Sequence, residues 1–249
     1  MRSYTLEICC YNASDVKIAA ENGAHRVELC AGRHEGGTTP SPGSILHAME
    51  TSSIQTYPII RPRGGDFLYS DAEFEIMKKD ILFCKNHNVP GVVFGILTQE
   101  GIIDRMRMAI LKELAGTMDV TMHRAIDMSN DLLKNLEIVH SLGIRRVLSS
   151  GGMPTAIEGI AMLEKMVQTT NPKISVMAGS GVNEHNIERF WNIGIREFHS
   201  SASTLLPSRM NYRNPQSAMG KEEKEFFNFQ ADGEKIKKMS FLLEQLAKQ

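Results

Sequence analysis

Short apolar runs alternate with amphipathic stretches along the chain, and the alternation repeats eight times. The runs occupy residues 5–10, 26–31, 56–61, 91–97, 119–125, 145–150, 173–178 and 196–201. Their spacing of about 27 residues leaves room for one strand and one crossover helix per repeat. One phrase recurs where helix gives way to strand: Gly23-Ala24-His25-Arg26-Val27, Gly143-Ile144-Arg145-Arg146-Val147 and Gly194-Ile195-Arg196-Glu197-Phe198. Each reads as a helix ended by glycine and followed by a buried strand. Ser14, Ser129 and Asn183 mark helix starts, and Ser70-x-x-Glu73 and Thr155-x-x-Glu158 have the form of capping boxes. A helix is expected from Asp104 to Gly116, and after Asp232 the residues Ile236, Met239, Leu243 and Leu246 recur at helical spacing. Eight βα units with no linker predict an α/β fold, a (β/α)8 TIM barrel over residues 1–249 as one domain. A long segment at about 204–231 separates its eighth strand from the last helix.

Glycines add a direction to this picture. Gly32, Gly36, Gly37, Gly64, Gly65, Gly151, Gly152, Gly179 and Gly181 all follow expected strands, on the rim where barrel enzymes carry their sites. Composition agrees with a folded chain: 42% hydrophobic and 23% charged residues argue against disorder. With 28 Lys and Arg against 29 Asp and Glu, the net charge of −1 provides no attraction to nucleic acid or to an anionic membrane. Cys9, Cys10, Cys30 and Cys84 form no C-x-x-C, and residues 1–7 lack the apolar stretch of a signal peptide, so a cytoplasmic location with free thiols is expected.

Alternation along a strand also says what points into the barrel, because i and i+2 share a face. Glu7 and Cys9 pair off against Leu6, Ile8 and Cys10, and Glu28 and Cys30 do so against Val27 and Leu29. The two thiols are therefore expected near each other on neighbouring strands, with Cys10 turned to the helices. Arg61 and Arg63 share a face, as do His123 and Asp127, with Arg124 on the other; His199 shares one with Ser201. Such buried charges require partners or a use. Arg61 and Arg63 either pair permanently with Glu7 and Glu28 or hold an anion beside Gly64-Gly65, and a phosphate is expected at Gly179-Ser180-Gly181 and Ser201.

The phrases Leu6-Glu7-Ile8-Cys9, Arg26-Val27-Glu28-Leu29-Cys30, Glu35-Gly36-Gly37-Thr38-Thr39-Pro40-Ser41, Ile60-Arg61-Pro62-Arg63-Gly64-Gly65-Asp66-Phe67, His123-Arg124-Ala125-Ile126-Asp127 and Ala218-Met219-Gly220 resemble the CutC family, named for copper homeostasis. The similarity runs over essentially the whole chain. It implies a cytoplasmic TIM barrel that forms homo-oligomers, dimer or tetramer. It also implies Cu(I) held by the cysteines that stand here as Cys9 and Cys30. Two features depart from the family's pattern: Cys10 stands where an apolar residue is usual, and Leu148-Ser149-Ser150-Gly151 replaces a threonine with serine.

Three functional expectations follow. One is Cu(I) binding by Cys9 and Cys30, since soft thiolates suit that ion. Another is an enzyme acting on a small phosphate- or carboxylate-bearing molecule. In it Glu28, His123, Asp127 and His199 move protons, while Glu7, Arg61, Arg63, Arg124, Ser149, Gly179, Gly181 and Ser201 bind substrate. The third is an oligomeric scaffold in which Phe226, Phe227 and Phe229 form a lid or a subunit contact.

Overall fold

The computed structural model describes residues 3–170, 174–214, 216–217 and 223–249. Eight strands alternate with helices: β1 (Thr5–Cys10), α1 (Ala13–Glu21), β2 (Arg26–Leu29), α2 (Pro42–Thr51), β3 (Gln55–Pro58), α3 (Asp71–Asn86), β4 (Gly91–Phe94), α4 (Arg105–Ala115), β5 (Asp119–Met122), α5 (Leu132–Ser141), β6 (Arg146–Ser149), α6 (Ile160–Thr170), β7 (Ser175–Ala178), α7 (Ile187–Asn192) and β8 (Glu197–Ser200). A hairpin of β9 (Ser203–Pro207) and β10 (Phe227–Ala231) then precedes α8 (Gly233–Leu246). The eight strands form one parallel sheet in the order β3-β2-β1-β8-β7-β6-β5-β4. A parallel bridge between Ile59 and Val93 joins β3 to β4 and closes the ring. This is the expected TIM barrel.

The alternation decides which atoms face which way. Leu6, Ile8, Cys10, Val27 and Leu29 belong to the apolar layer between sheet and helices. Cys9, Cys30, Tyr57, Ile59 and Val93 form a second, interior cluster. Below them the barrel is filled by charge. Arg26 bonds Glu7 and Glu197, Arg146 joins Glu197 to Asp119, and the Tyr57 hydroxyl donates to Asp119 at 3.0 Å.

Caps account for most helix starts. Ser70 and Glu73 bond reciprocally at the head of α3, Asp104 caps α4, and Asp232 accepts from the first-turn amides of α8. Thr155 and Glu158 make the same reciprocal bonds, but in a turn that ends before α6 begins at Ile160. Three expected starts shift. Ser14 lies inside α1, whose cap is Asn12; α5 is capped by Asp131 and not Ser129; Asn183 opens a turn ahead of α7.

Several strands also end sooner than their apolar runs, at Leu29, Pro58, Phe94 and Met122, because the next residues belong to the rim. The expected strand start at Lys173 and the phrase Ala218-Met219-Gly220 lie outside the described residues. No helix among the described residues is long and apolar enough to cross a membrane.

Candidate functional site

The C-terminal ends of the strands surround a cavity of about 540 Å³. One wall is built by β1, β2 and β8, whose register sets Cys9 beside Glu28 and Glu7 beside His199. Cys9 Sγ lies 3.8 Å from Cys30 Sγ. His199 Nδ1 is 2.7 Å from Glu7 Oε1, and its Nε2 is 3.6 Å from Glu28 Oε2. Among the described residues, Cys9, Glu28 and His199 form a buried group whose potential ligand atoms all lie within 4.8 Å of one another. Cys9, Glu28 and His199 line the cavity; Cys30 and Glu7 stand behind them.

The electrostatics of this wall follow from burial and proximity. The hydrogen bond from Cys30 is the largest influence on Cys9 and holds its thiol well below the ordinary range against the opposing effect of burial, with His199 helping. Burial would raise Glu7, yet the Arg26 guanidinium and His199 bring it down to about 2. Burial also works against a charged His199, but its bonds to Cys9 and Glu7 carry its pKa well upward. Glu28 moves the other way, up to about 8, through burial and the facing Cys9 thiolate. Burial and proximity therefore favour charge on Cys9, His199 and Glu7 and a proton on Glu28.

The opposite wall holds Arg61, Phe67 and His123. His123 Nδ1 accepts from the Ala125 amide at 3.2 Å, so the ring proton sits on Nε2. Burial and the charge of Arg61 press the His123 pKa down to about 3. At neutral pH this ring is uncharged and presents Nε2–H as a donor. Arg61 is not paired with Glu7 or Glu28. It donates from Nη1 to the carbonyls of Glu35 and Gly37, each at 2.6 Å, and from Nη2 to that of Gly65 at 2.8 Å.

Four other expectations change. Arg63 does not line the cavity: its guanidinium lies outside, bonding Glu73, Asp66 and nearby carbonyls. Asp127 reaches the rim, but its oxygens accept from Arg124 Nε, both the amide and hydroxyl of Ser150, the Ser149 hydroxyl and the Gly152 amide. A carboxylate so fully engaged holds the loop after β6 in place. Arg124 and Asp127 meet because residues Arg124–Met128 form a 3₁₀ turn, which ends the two-residue parity at Met122.

Ser149 is buried beneath Asp127, and Gly179 is a packing residue, since a Cβ there would come within 2.4 Å of Leu148 Cδ1. Gly181, Ser201 and Arg124 do line the cavity. Tyr11 and Arg33 were missed. Both follow a strand rather than lie in it, so alternation gave no signal for them. Arg33 is held over the Phe229 ring at 3.8 Å and donates to Ser203, so the hairpin is fastened to this rim. Phe226 instead stacks under Arg213, and Phe227 is exposed.

A closed parallel barrel with thiol, carboxylate and imidazole gathered at the C-terminal end of its strands defines the class of molecule. Residues 4–204 match the model of the CutC family, and the chain belongs to that family. A CutC family protein of Edwardsiella ictaluri is 42% identical over 97% of this chain and 96% of its own. One from Yersinia enterocolitica is 42% identical over 96% and 95%. A solved Streptococcus agalactiae chain, described as a candidate copper homeostasis protein CutC, shares 32% identity with a TM-score of 0.75 over 80% of this chain and 98% of its own. A thiamine phosphate pyrophosphorylase from Pyrococcus furiosus, 14% identical with a TM-score of 0.57 over 98% of this chain and 97% of its own, shares the fold alone.

Proposed function

We propose that the Cys9 wall of the mouth binds Cu(I) as the cargo of a copper homeostasis protein. The observation that carries this reading is the grouping of Cys9 Sγ with His199, Glu28 and, at 3.8 Å, Cys30 Sγ. Two thiols and the His199 imidazole, once Cu(I) displaces its Nε2 proton, are the soft and borderline donors that monovalent copper prefers. Glu7, on the far nitrogen of His199, fixes the ring as carboxylates do behind metal-bound histidines. The name of the Streptococcus agalactiae relative supports the same role. The protein works on this reading in a reducing cytoplasm, where Cys9, Cys10, Cys30 and Cys84 stay free, and as a homodimer or homotetramer. Anaerobic Cu(I) titration against a competing chelator tests it. Affinity falls at least tenfold in Cys9→Ser/Cys30→Ser; an unchanged affinity overturns the reading.

The cavity volume favours a second reading. About 540 Å³ is far more than one ion fills and lies within the range of small-molecule sites. A small organic anion occupies the mouth on this reading, with Glu28 as acid and His199 as its charged neighbour. Thermal-shift screening of phosphates and carboxylates tests it, and the absence of any saturable stabilisation counts against it.

A further inference from the structure

Arg61 is a buried cation without a counter-ion. It is only 5% exposed, and no described carboxylate lies within ion-pair distance of it. Neutral carbonyls satisfy its Nη groups, but Nε makes no hydrogen bond of regular geometry among the described residues, and the buried Tyr69 hydroxyl close to the guanidinium is likewise unsatisfied. His123, 4% exposed, is in the same condition: Ala125 occupies Nδ1, and the Nε2–H donor has no partner. The two groups are neighbours. Phe67 packs against both, with its ring centroid 4.9 Å from that of His123 and 5.0 Å from Arg61 Cζ, and all three line the cavity. Gly95 makes room for the imidazole, since a Cβ there would come within 2.9 Å of the ring's Cε1. An unpaired buried charge and an idle buried donor side by side each carry a desolvation cost that a bound acceptor removes.

We propose that Arg61 Nε–H and His123 Nε2–H form the carboxylate-binding corner of the mouth, each donating to one oxygen of a small carboxylic acid that enters as Phe67 turns aside. This rests on the organic-anion reading and names its ligand class. A carboxylate supplies the missing negative charge together with two acceptor oxygens in one plane. The low pKa of His123 suits the task, because a ring that stays neutral keeps Nδ1 for Ala125 and its proton for the ligand. The remainder of the molecule then faces Cys9, Glu28 and His199 across the cavity. Arg63 stays outside, so recognition uses one guanidinium and one imidazole and not an arginine pair.

The test uses the full-length protein, metal-free and reduced, with pyruvate, malonate and succinate as probes. Long-range ¹H–¹⁵N spectra report the His123 ring, and backbone amide spectra report the whole mouth. A saturable downfield shift of the His123 Nε2 proton by at least one probe is expected. His123→Phe then weakens that probe by roughly ten- to hundredfold, the loss of a hydrogen bond to a charged group, while His123→Gln, which keeps an N–H donor, recovers part of the affinity. A probe that shifts the amides of Ser180, Gly181 and Val182 but leaves the His123 ring untouched overturns this corner and leaves the organic-anion reading standing. No saturable shift anywhere with all three probes overturns the proposal. Because the ring signal is read in the unsubstituted protein, a variant that fails to fold does not obscure either result.

Discussion

Glu28 and Glu7 are carboxylates against the two nitrogens of His199 that shift in opposite directions, and the cause is their neighbours. Glu7 faces Arg26 and His199, whereas Glu28 faces the Cys9 thiolate from a fully buried position. A carboxyl whose folded pKa is raised adds stability below its unfolded value near 4.5, and that contribution is lost as the pH rises toward about 8. Glu28→Gln cannot ionise and so lacks this loss. Urea unfolding of wild type and Glu28→Gln between pH 5 and pH 9 is therefore expected to show the variant gaining on wild type as pH rises. A constant difference over that range would mean Glu28 is ionised throughout. Strand alternation placed Glu28, His199 and Cys9 at the mouth, yet could not say that Asp127 is engaged by five donor groups or that Arg61 lies beside His123. Those properties depend on loops that fold back from elsewhere in the chain.

Elements were legible in proportion to their regularity. The eight strands read from apolar runs because a period of two survives along each, and the same rule sorted Cys9 from Cys10. It failed beyond the last strand residue: Arg124 and Asp127 lie on a 3₁₀ turn, and Arg63 swings out to serve α3 through Glu73. The turn ahead of α6 shows a second limit. Gly159 gives no sequence signal of importance, yet a Cβ there would come within 1.9 Å of the Ser150 carbonyl oxygen, and one at Gly151 within 2.3 Å of the Gly159 oxygen. Backbone presses on backbone, so neither side can yield as a flexible side chain would. Gly159→Ala is expected to cost about 1–3 kcal/mol or more, the scale of overpacking. The urea midpoint should drop with an unchanged slope, and an unaltered midpoint would show that the turn opens freely.

The whole molecule stacks two chemical layers inside one barrel, and the lower one supports the upper. Arg26, Glu7, Glu197, Arg146 and Asp119 form a linked set of charges under the mouth, and Glu7 extends it upward to His199. The parity that placed Glu28 and His199 inside also places Arg26 and Glu197 inside, two residues earlier on β2 and β8. What the sequence withheld was the pairing, since a net charge of −1 says nothing about which acids meet which bases. Replacing one partner of such a set leaves uncompensated buried charge, and Arg26→Met strands both Glu7 and part of Glu197. The expected loss is about 3–5 kcal/mol at pH 7. Its pH dependence separates this cause from lost packing. In wild type Glu7 is held at about 2, so the stability it adds is present above 4.5 and is lost as pH falls toward 2. Without Arg26 its pKa rises and that acid loss shrinks. The gap between Arg26→Met and wild type in urea should therefore narrow from pH 7 to pH 3, whereas a gap of constant size would assign the loss to packing of the Arg26 side chain against Tyr57 and Met177.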